Sequence, residues 1–239
     1  MSGTPDVALD AQRFPIGRFQ RQAEFSAEQR QAHIARIAAQ PANLAAAMSG
    51  LTATDYAAPY RDGGWTVRQL VHHMADSHAN AYIRVKLALT EQAPVIKPYD
   101  QDAWAALPDA TSLSPHVSVA LFAATHIRLH AVLDAMTPAQ FARTILHPEN
   151  GAMTLDQVVA LYACHGDHHI AQLERYRARS LSDRLEDPQA TPGSAATASD
   201  GDQPLRERLN WLHRRVQRLQ AAHRGVEGLL DQALETGND

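Results

Sequence analysis

The 239-residue chain holds a single cysteine, Cys164. That excludes an internal disulfide and a cysteine-built zinc site, and it fits a reducing compartment. Neither charge is in excess: 22 basic and 26 acidic residues give a formal net charge of -4, which leaves no electrostatic footprint for nucleic acid. No apolar run approaches the ~20 residues of a membrane span. The opening "MSGTPDVALDAQ" lacks the basic start and apolar core of a secretory signal, so the expected location is cytoplasmic. Strand signals are scarce too, because β-branched residues come singly and alternation does not last. What remains is 45% hydrophobic and 20% charged, an ordinary composition that can build a core without staples.

Helical spacing recurs along the chain. Residues 1–13 are polar and read as a flexible arm. Ser26-x-x-Gln29 opens a first helix to about Met48, with Ile34, Ile37, Leu44 and Met48 on one stripe. Pro41 is expected to kink or split it. After the glycine-rich turn "PYRDGGW", Thr66-x-x-Gln69 caps a second helix to about Leu89. A third runs from about His116 to Met136, and Thr154-x-x-Gln157 caps a fourth to about Ser180. Amphipathic helices of this length predict an all-α four-helix bundle over 14–183. The crossover between helices 2 and 3, "EQAPVIKPYDQDAWAALPDATSLSP", is longer than antiparallel neighbours need. It lets those two helices run in the same direction, and it could wall a pocket.

Residues 184–203 take in most of "DPQATPGSAATASDGDQP" and read as a flexible linker. Beyond it, over 204–235, Leu205, Leu209, Leu212, Val216, Leu219, His223, Val226, Leu230 and Ala233 alternate by four and three. This is an amphipathic helix: it either folds back on the bundle or forms a coiled coil, and Gly225 and Gly228 weaken it.

Histidine is plentiful, with 13 in the chain, and "CHGDHH" puts His165 and His169 four residues apart. Residues at that spacing share a helix face, ~6 Å apart, so both rings can reach one cation at ~2.0–2.1 Å per bond. Both lie on the apolar stripe with Tyr162, Leu173 and Tyr176. Two ligands make a poor site, and a third must come from another helix. In "VRQLVHHMADSH", His73 lies on the inward stripe, while His72 is turned ~100° away and His78 is at the edge. His73, His165 and His169 could therefore form a three-histidine site with open positions, suited to Zn²⁺, Ni²⁺ or another first-row ion. The rival pair, His126 and His130, could place His126 at the same cavity. The plainer alternative is a set of core histidines with ordinary hydrogen bonds.

A family resemblance rests on "FPIGRF", "PYRDGGWTVRQLVHHMADSHANAYIRVKLALTE", "KPYDQDAWAAL", "HPENG" and "YACHGDHHIAQL". Over about residues 14–180 the chain resembles the YfiT-like branch of the DinB superfamily. Its members are labelled metal-dependent hydrolases and, in newer usage, bacillithiol transferases. The resemblance implies a four-helix bundle with a long second crossover, and one nickel or zinc ion per subunit on His73, His165 and His169. Gly166 and Asp167 depart from the family pattern at positions expected to face outward.

Such a site supports hydrolysis with activated water, or S-transfer from a low-molecular-weight thiol co-substrate. A non-catalytic metal-responsive binding module is the remaining option. Candidate catalytic groups are Asp76, able to orient a ligand ring or take a proton, Tyr162, and His126, as a support behind the ligands or an acid–base group. Arg61 and Arg84 could bind a carboxylate of a substrate or acidic thiol. Cys164 points ~100° away from its ligand neighbour, and Trp65 reads as a staple into the core. The expected partners are a small-molecule substrate and a second copy of the chain in a homodimer, assisted by the C-terminal helix. No nucleic-acid or membrane partner is expected.

Overall fold

The computed structural model describes residues 12–186. The expected helix over 204–235, nearly all of the 1–13 arm and most of the 184–203 linker lie outside the described residues. Within them the elements in order are α1 (Ala27–Ala47), α2 (Ala53–Ala57), α3 (Val67–Thr90), α4 (Gln101–Ala105), α5 (Pro108–Ser112), α6 (Pro115–Asp134), α7 (Pro138–Phe141), β1 (Thr144–His147), β2 (Gly151–Thr154) and α8 (Leu155–Glu186).

Three of the four long helices start where the sequence caps them. At α1 the Gln29 N–H donates to Ser26 Oγ at 3.2 Å and the Ser26 N–H to Gln29 Oε1 at 2.8 Å. Thr66 with Gln69 repeats this at α3, and Thr154 with Gln157 at α8. Each pair satisfies two backbone donors that the first turn leaves open, worth ~1 kcal/mol. α6 starts differently, with proline at its first turn and no side-chain cap bond. α1 continues through Pro41 as one helix rather than splitting. Ile37, Gln40 and Leu44 are fully buried on either side, and that packing outweighs the missing backbone bond.

Two apolar clusters fill the bundle. One gathers Ile37, Val85, Leu129, Leu133, Ile145, Leu155 and Val158. The other gathers Leu44, Leu70, Met74, Phe122, Ile170 and Leu173. Along the chain α3 and α6 both pass from the second cluster to the first, whereas α1 and α8 pass from the first to the second. The helices joined by the crossover therefore run in the same direction, as its length allows. Each helix changes cluster at a buried or half-buried polar residue: Gln40 on α1, Ser77 and His78 on α3, His126 on α6, His165 on α8. The bundle thus carries a polar layer at mid-height, and the candidate site lies in it.

α6 corrects the expectation that no apolar run approaches a membrane span: by length and composition it is long and apolar enough to cross one. Here it is a bundle helix, burying Phe122, His126, Leu129 and Leu133. One departure from the all-helical expectation is the antiparallel hairpin β1–β2, which pairs Thr144 with Thr154 and His147 with Gly151. Ile96 in the crossover adds to it, donating to the Leu146 carbonyl at 3.0 Å. Crossover and hairpin together wall one side of the site.

Candidate metal centre

α3 brings His73, and α8 brings His165 and His169, into one cluster. One ring nitrogen from each lies within 4.8 Å of the other two. His73 Nε2 and His165 Nε2 are 3.3 Å apart. Two nitrogens bound at 2.0–2.1 Å to a tetrahedral ion are separated by ~3.3 Å, so this pair already stands at a ligand–ligand distance. The three rings meet edge-on or tilted, with centroids 4.5–5.3 Å apart. The donor set fits a first-row cation: neutral nitrogens converge from two helices and no carboxylate is needed.

The protonation states favour ligation. Burial pushes His73 down to about 4. Burial, reinforced by repulsion among the neighbouring rings, lowers His165 and His169 well below the usual imidazole range. All three rings therefore keep their lone pairs at neutral pH.

Two of the rings are held by a specific partner. His78 Nε2 lies 3.2 Å from His165 Nδ1, which leaves His165 Nε2 for a cation. His169 Nδ1 donates to Gln172 Oε1 at 2.8 Å, again freeing Nε2. The Gln172 amide is fixed in turn by donation to the Arg13 carbonyl at 2.9 Å and to His168 Nε2 at 3.0 Å. Orienting partners of this kind set the tautomer and raise ligand affinity. Spacing alone placed His78 at the edge of the stripe. In the bundle it is completely buried, stacked on His126 and tilted against Phe122.

The sequence-based candidates scatter. Asp76 bonds none of the three rings; burial, then Asp109, raise its carboxyl to about 6. His126 is buried behind the site, its Nδ1 bonded to the Phe122 carbonyl at 2.8 Å and its Nε2 3.2 Å from Gln40 Oε1. It lines neither chamber described below and reaches the ligands only through His78, on which it stacks. His72 turns to α6, with Nδ1 2.7 Å from Ser118 Oγ. Cys164 is half-buried and held by burial above the usual thiol range, in line with a packing role. Gly166 corrects an expectation. Instead of facing outward, it is buried against α1, where a Cβ would meet the Gln40 amide at 2.3–2.5 Å. Asp167 likewise faces α1, accepting from Arg36 Nε at 2.7 Å and Gln40 Nε2 at 3.0 Å.

Two chambers open onto the histidines. The larger, about 510 Å³, is walled by Arg13, Phe14, Tyr60, Arg61 and Trp65 and reaches all three rings. Trp65 is therefore a wall of the site as well as a helix-start residue. Its ring lies 4.7 Å from that of His73, and its Nε1 donates to Asp102 at 3.0 Å. Gly63 takes a positive φ of 60° in the turn that brings Arg61 and Trp65 to this wall, a conformation glycine adopts without strain. The smaller chamber, about 170 Å³, reaches His73 and His165 and is walled by Ser77, Arg84, Tyr99, His147 and Tyr162. Arg61 and Arg84, paired in the sequence reading, thus serve different chambers.

The profile of the DinB superfamily matches residues 36–173. The chain belongs to the DinB superfamily. Among its DinB relatives is "Putative metal-dependent hydrolase YfiT" of Bacillus subtilis, 44% identical over 161 residues that make up 67% of this chain and 90% of that protein. A Geobacillus thermodenitrificans protein named in the same terms is 46% identical, over 72% of this chain and 97% of its own. The solved structure of B. subtilis YfiT, described as "a probable metal-dependent hydrolase with an unusual four-helix bundle topology", superposes with a TM-score of 0.69, covering 71% of this chain and 98% of that one at 42% identity. A mycothiol-dependent maleylpyruvate isomerase shares the DinB-like fold at a TM-score of 0.51 and 14% identity; at that identity only the fold is informative.

Proposed function

We propose that this DinB protein is a cytosolic metal-dependent hydrolase of small molecules, with His73, His165 and His169 as its metal ligands. The observation that carries the reading is the convergence of three neutral imidazoles within 4.8 Å where two chambers meet. A divalent cation held by neutral nitrogens keeps its full charge and brings the pKa of a bound water close to neutral. The chain's own groups do the rest. His78 and Gln172 hold two ligand rings in one tautomer. Trp65 and Phe14 offer the larger chamber apolar surface, and Arg13 and Arg61 offer it positive charge. The test is turnover of small esters and amides by zinc- or nickel-loaded protein, abolished by chelation and restored by metal. Absence of turnover across such a panel would count against hydrolysis.

A second reading, S-transfer from a low-molecular-weight thiol to an electrophile, is favoured by the division of the site. Chambers of about 510 and 170 Å³ flank the same two rings, His73 and His165, giving two small reactants separate approaches to one centre. A thiol bound to the same cation is acidified as water is. Bacillithiol with monochlorobimane, assayed with and without metal, tests this directly. Adduct formation without ester or amide turnover would select transfer over hydrolysis.

A further inference from the structure

The smaller chamber contains a cation, Arg84, that no carboxylate among the described residues meets in an ion pair. Arg84 stands half-buried on α3, and its Nη1 donates to Tyr162 Oη at 2.7 Å. Two arginines of α1 that reach α8 are matched by contrast: Arg30 holds Asp156 at 2.6 Å and Arg36 holds Asp167 at 2.7 Å. A guanidinium partly withdrawn from water costs free energy unless an anion answers it.

The surrounding groups do not supply that anion. Tyr162 is buried, and burial raises its phenol above the usual range, so it stays neutral. Tyr99 is pushed up to about 12, also by burial. His147 is lowered by burial and by Arg84 itself. Glu149 lines the chamber from the exposed hairpin rim and forms no ion pair with Arg84. Donors, by contrast, are in supply. The Tyr162 oxygen accepts from Arg84 and meets the Ser77 hydroxyl, which also bonds Tyr99; with Ser77 donating, the Tyr162 hydrogen is left for another acceptor. The guanidinium keeps further N–H groups in a fork that matches a carboxylate.

We propose that the smaller chamber is a carboxylate-binding subsite, built on Arg84 and Tyr162, for a compact acid. At ~30 Å³ per water-sized group, the 170 Å³ chamber takes about six non-hydrogen atoms. The proposal rests on the metal-site reading in one respect only: an acid held here presents its far end to His73 and His165, so the subsite selects substrates whose reacting group lies one or two bonds from an acid group.

Pyruvate and its neutral isostere pyruvamide are suitable probes, titrated into zinc-loaded full-length protein with the arginine Nε–H signals followed by NMR. Pyruvate should shift the Arg84 signal and pyruvamide should not. Arg84→Met should weaken pyruvate binding by roughly 10–100-fold, the size of a lost charge-assisted contact, and Tyr162→Phe by about fivefold. Arg84→Lys, which keeps the charge but not the fork, should fall between, and it remains informative if Arg84→Met does not fold. Protein stripped of metal by a chelator keeps every side chain of the chamber and should still bind pyruvate in an Arg84-dependent way, which separates failure of the subsite from failure of the metal site. Equal binding of the two probes would overturn the proposal. So would pyruvate binding that survives Arg84→Met but is lost when the metal is stripped by a chelator, because the anion would then be sitting on the metal.

Discussion

His78 Nε2 lies 3.2 Å from His165 Nδ1, and the other nitrogen of His165, Nε2, lies 3.3 Å from His73 Nε2. His165 is thus bracketed: one nitrogen faces a ligand position and the other a buried ring. A histidine that ligates through Nε2 carries its hydrogen on Nδ1 and needs an acceptor there. His78 supplies it from a position with 0% exposure, and its own Nδ1 has no partner. Leaving that buried nitrogen unsatisfied costs about 1–3 kcal/mol, which is a reason to look for its return in metal binding.

His78→Leu should accordingly lower zinc affinity by ~10–100-fold, the usual effect of removing a ligand's orienting partner. His78→Gln should retain most of the affinity, since its amide oxygen can replace the acceptor. Competition with a chromophoric chelator measures both. Equal affinities in the wild type and the two variants would show that His78 only fills space.

Gly166→Ala sets two effects against each other. Helix propensity favours alanine by ~1 kcal/mol. The added Cβ, however, would stand 2.3–2.5 Å from a Gln40 amide that is fully buried and tied to the Ala163 carbonyl at 2.9 Å and to Asp167 at 3.0 Å. Overpacking of this kind costs ~1–3 kcal/mol, so the single variant should be less stable in urea. Introduced into Gln40→Ala, where the space is open, the same change should be neutral or stabilising. A destabilisation of equal size in both backgrounds would mean that the contact is not the cause.

Asp76 gives a pH-dependent prediction. Its carboxyl is raised to about 6, by burial and then by Asp109, above an unfolded value of ~3.9. Such a group supports the folded state fully below pH ~4 and loses that contribution as pH rises through about 6. Asp76→Asn cannot ionise. It should therefore be more stable than wild type near pH ~7 and should gain nothing near pH ~4. A gain of the same size at both would assign the effect to packing rather than charge.

Much of this was legible in the residues. The three capping boxes mark helix starts because hydroxyl and amide three residues apart satisfy local donors, whatever the tertiary context. The parallel run of α3 and α6 was permitted by the crossover length, though not required by it. His73, His165 and His169 stood on apolar stripes where unpaired imidazoles are costly. Other features depended on packing that a one-face pattern does not carry. α3 buries Val67, Val71, Ala75 and His78 as well as the Leu70–Met74 stripe, so "edge" positions such as His78 are interior. Gly166 looked outward-facing because α8 also has neighbours on more than one side. The Thr144–Thr154 hairpin was missed because each strand is only four residues long and is held partly by the crossover, through Ile96 and Leu146.

The most direct test is metal content by mass spectrometry after loading with zinc or nickel and gel filtration, for wild type and for His73→Ala, His165→Ala and His169→Ala, with folding checked by circular dichroism. The predicted result is one ion per wild-type chain and loss of stoichiometric metal in each folded variant. Three folded variants that each retain a full equivalent would contradict the site.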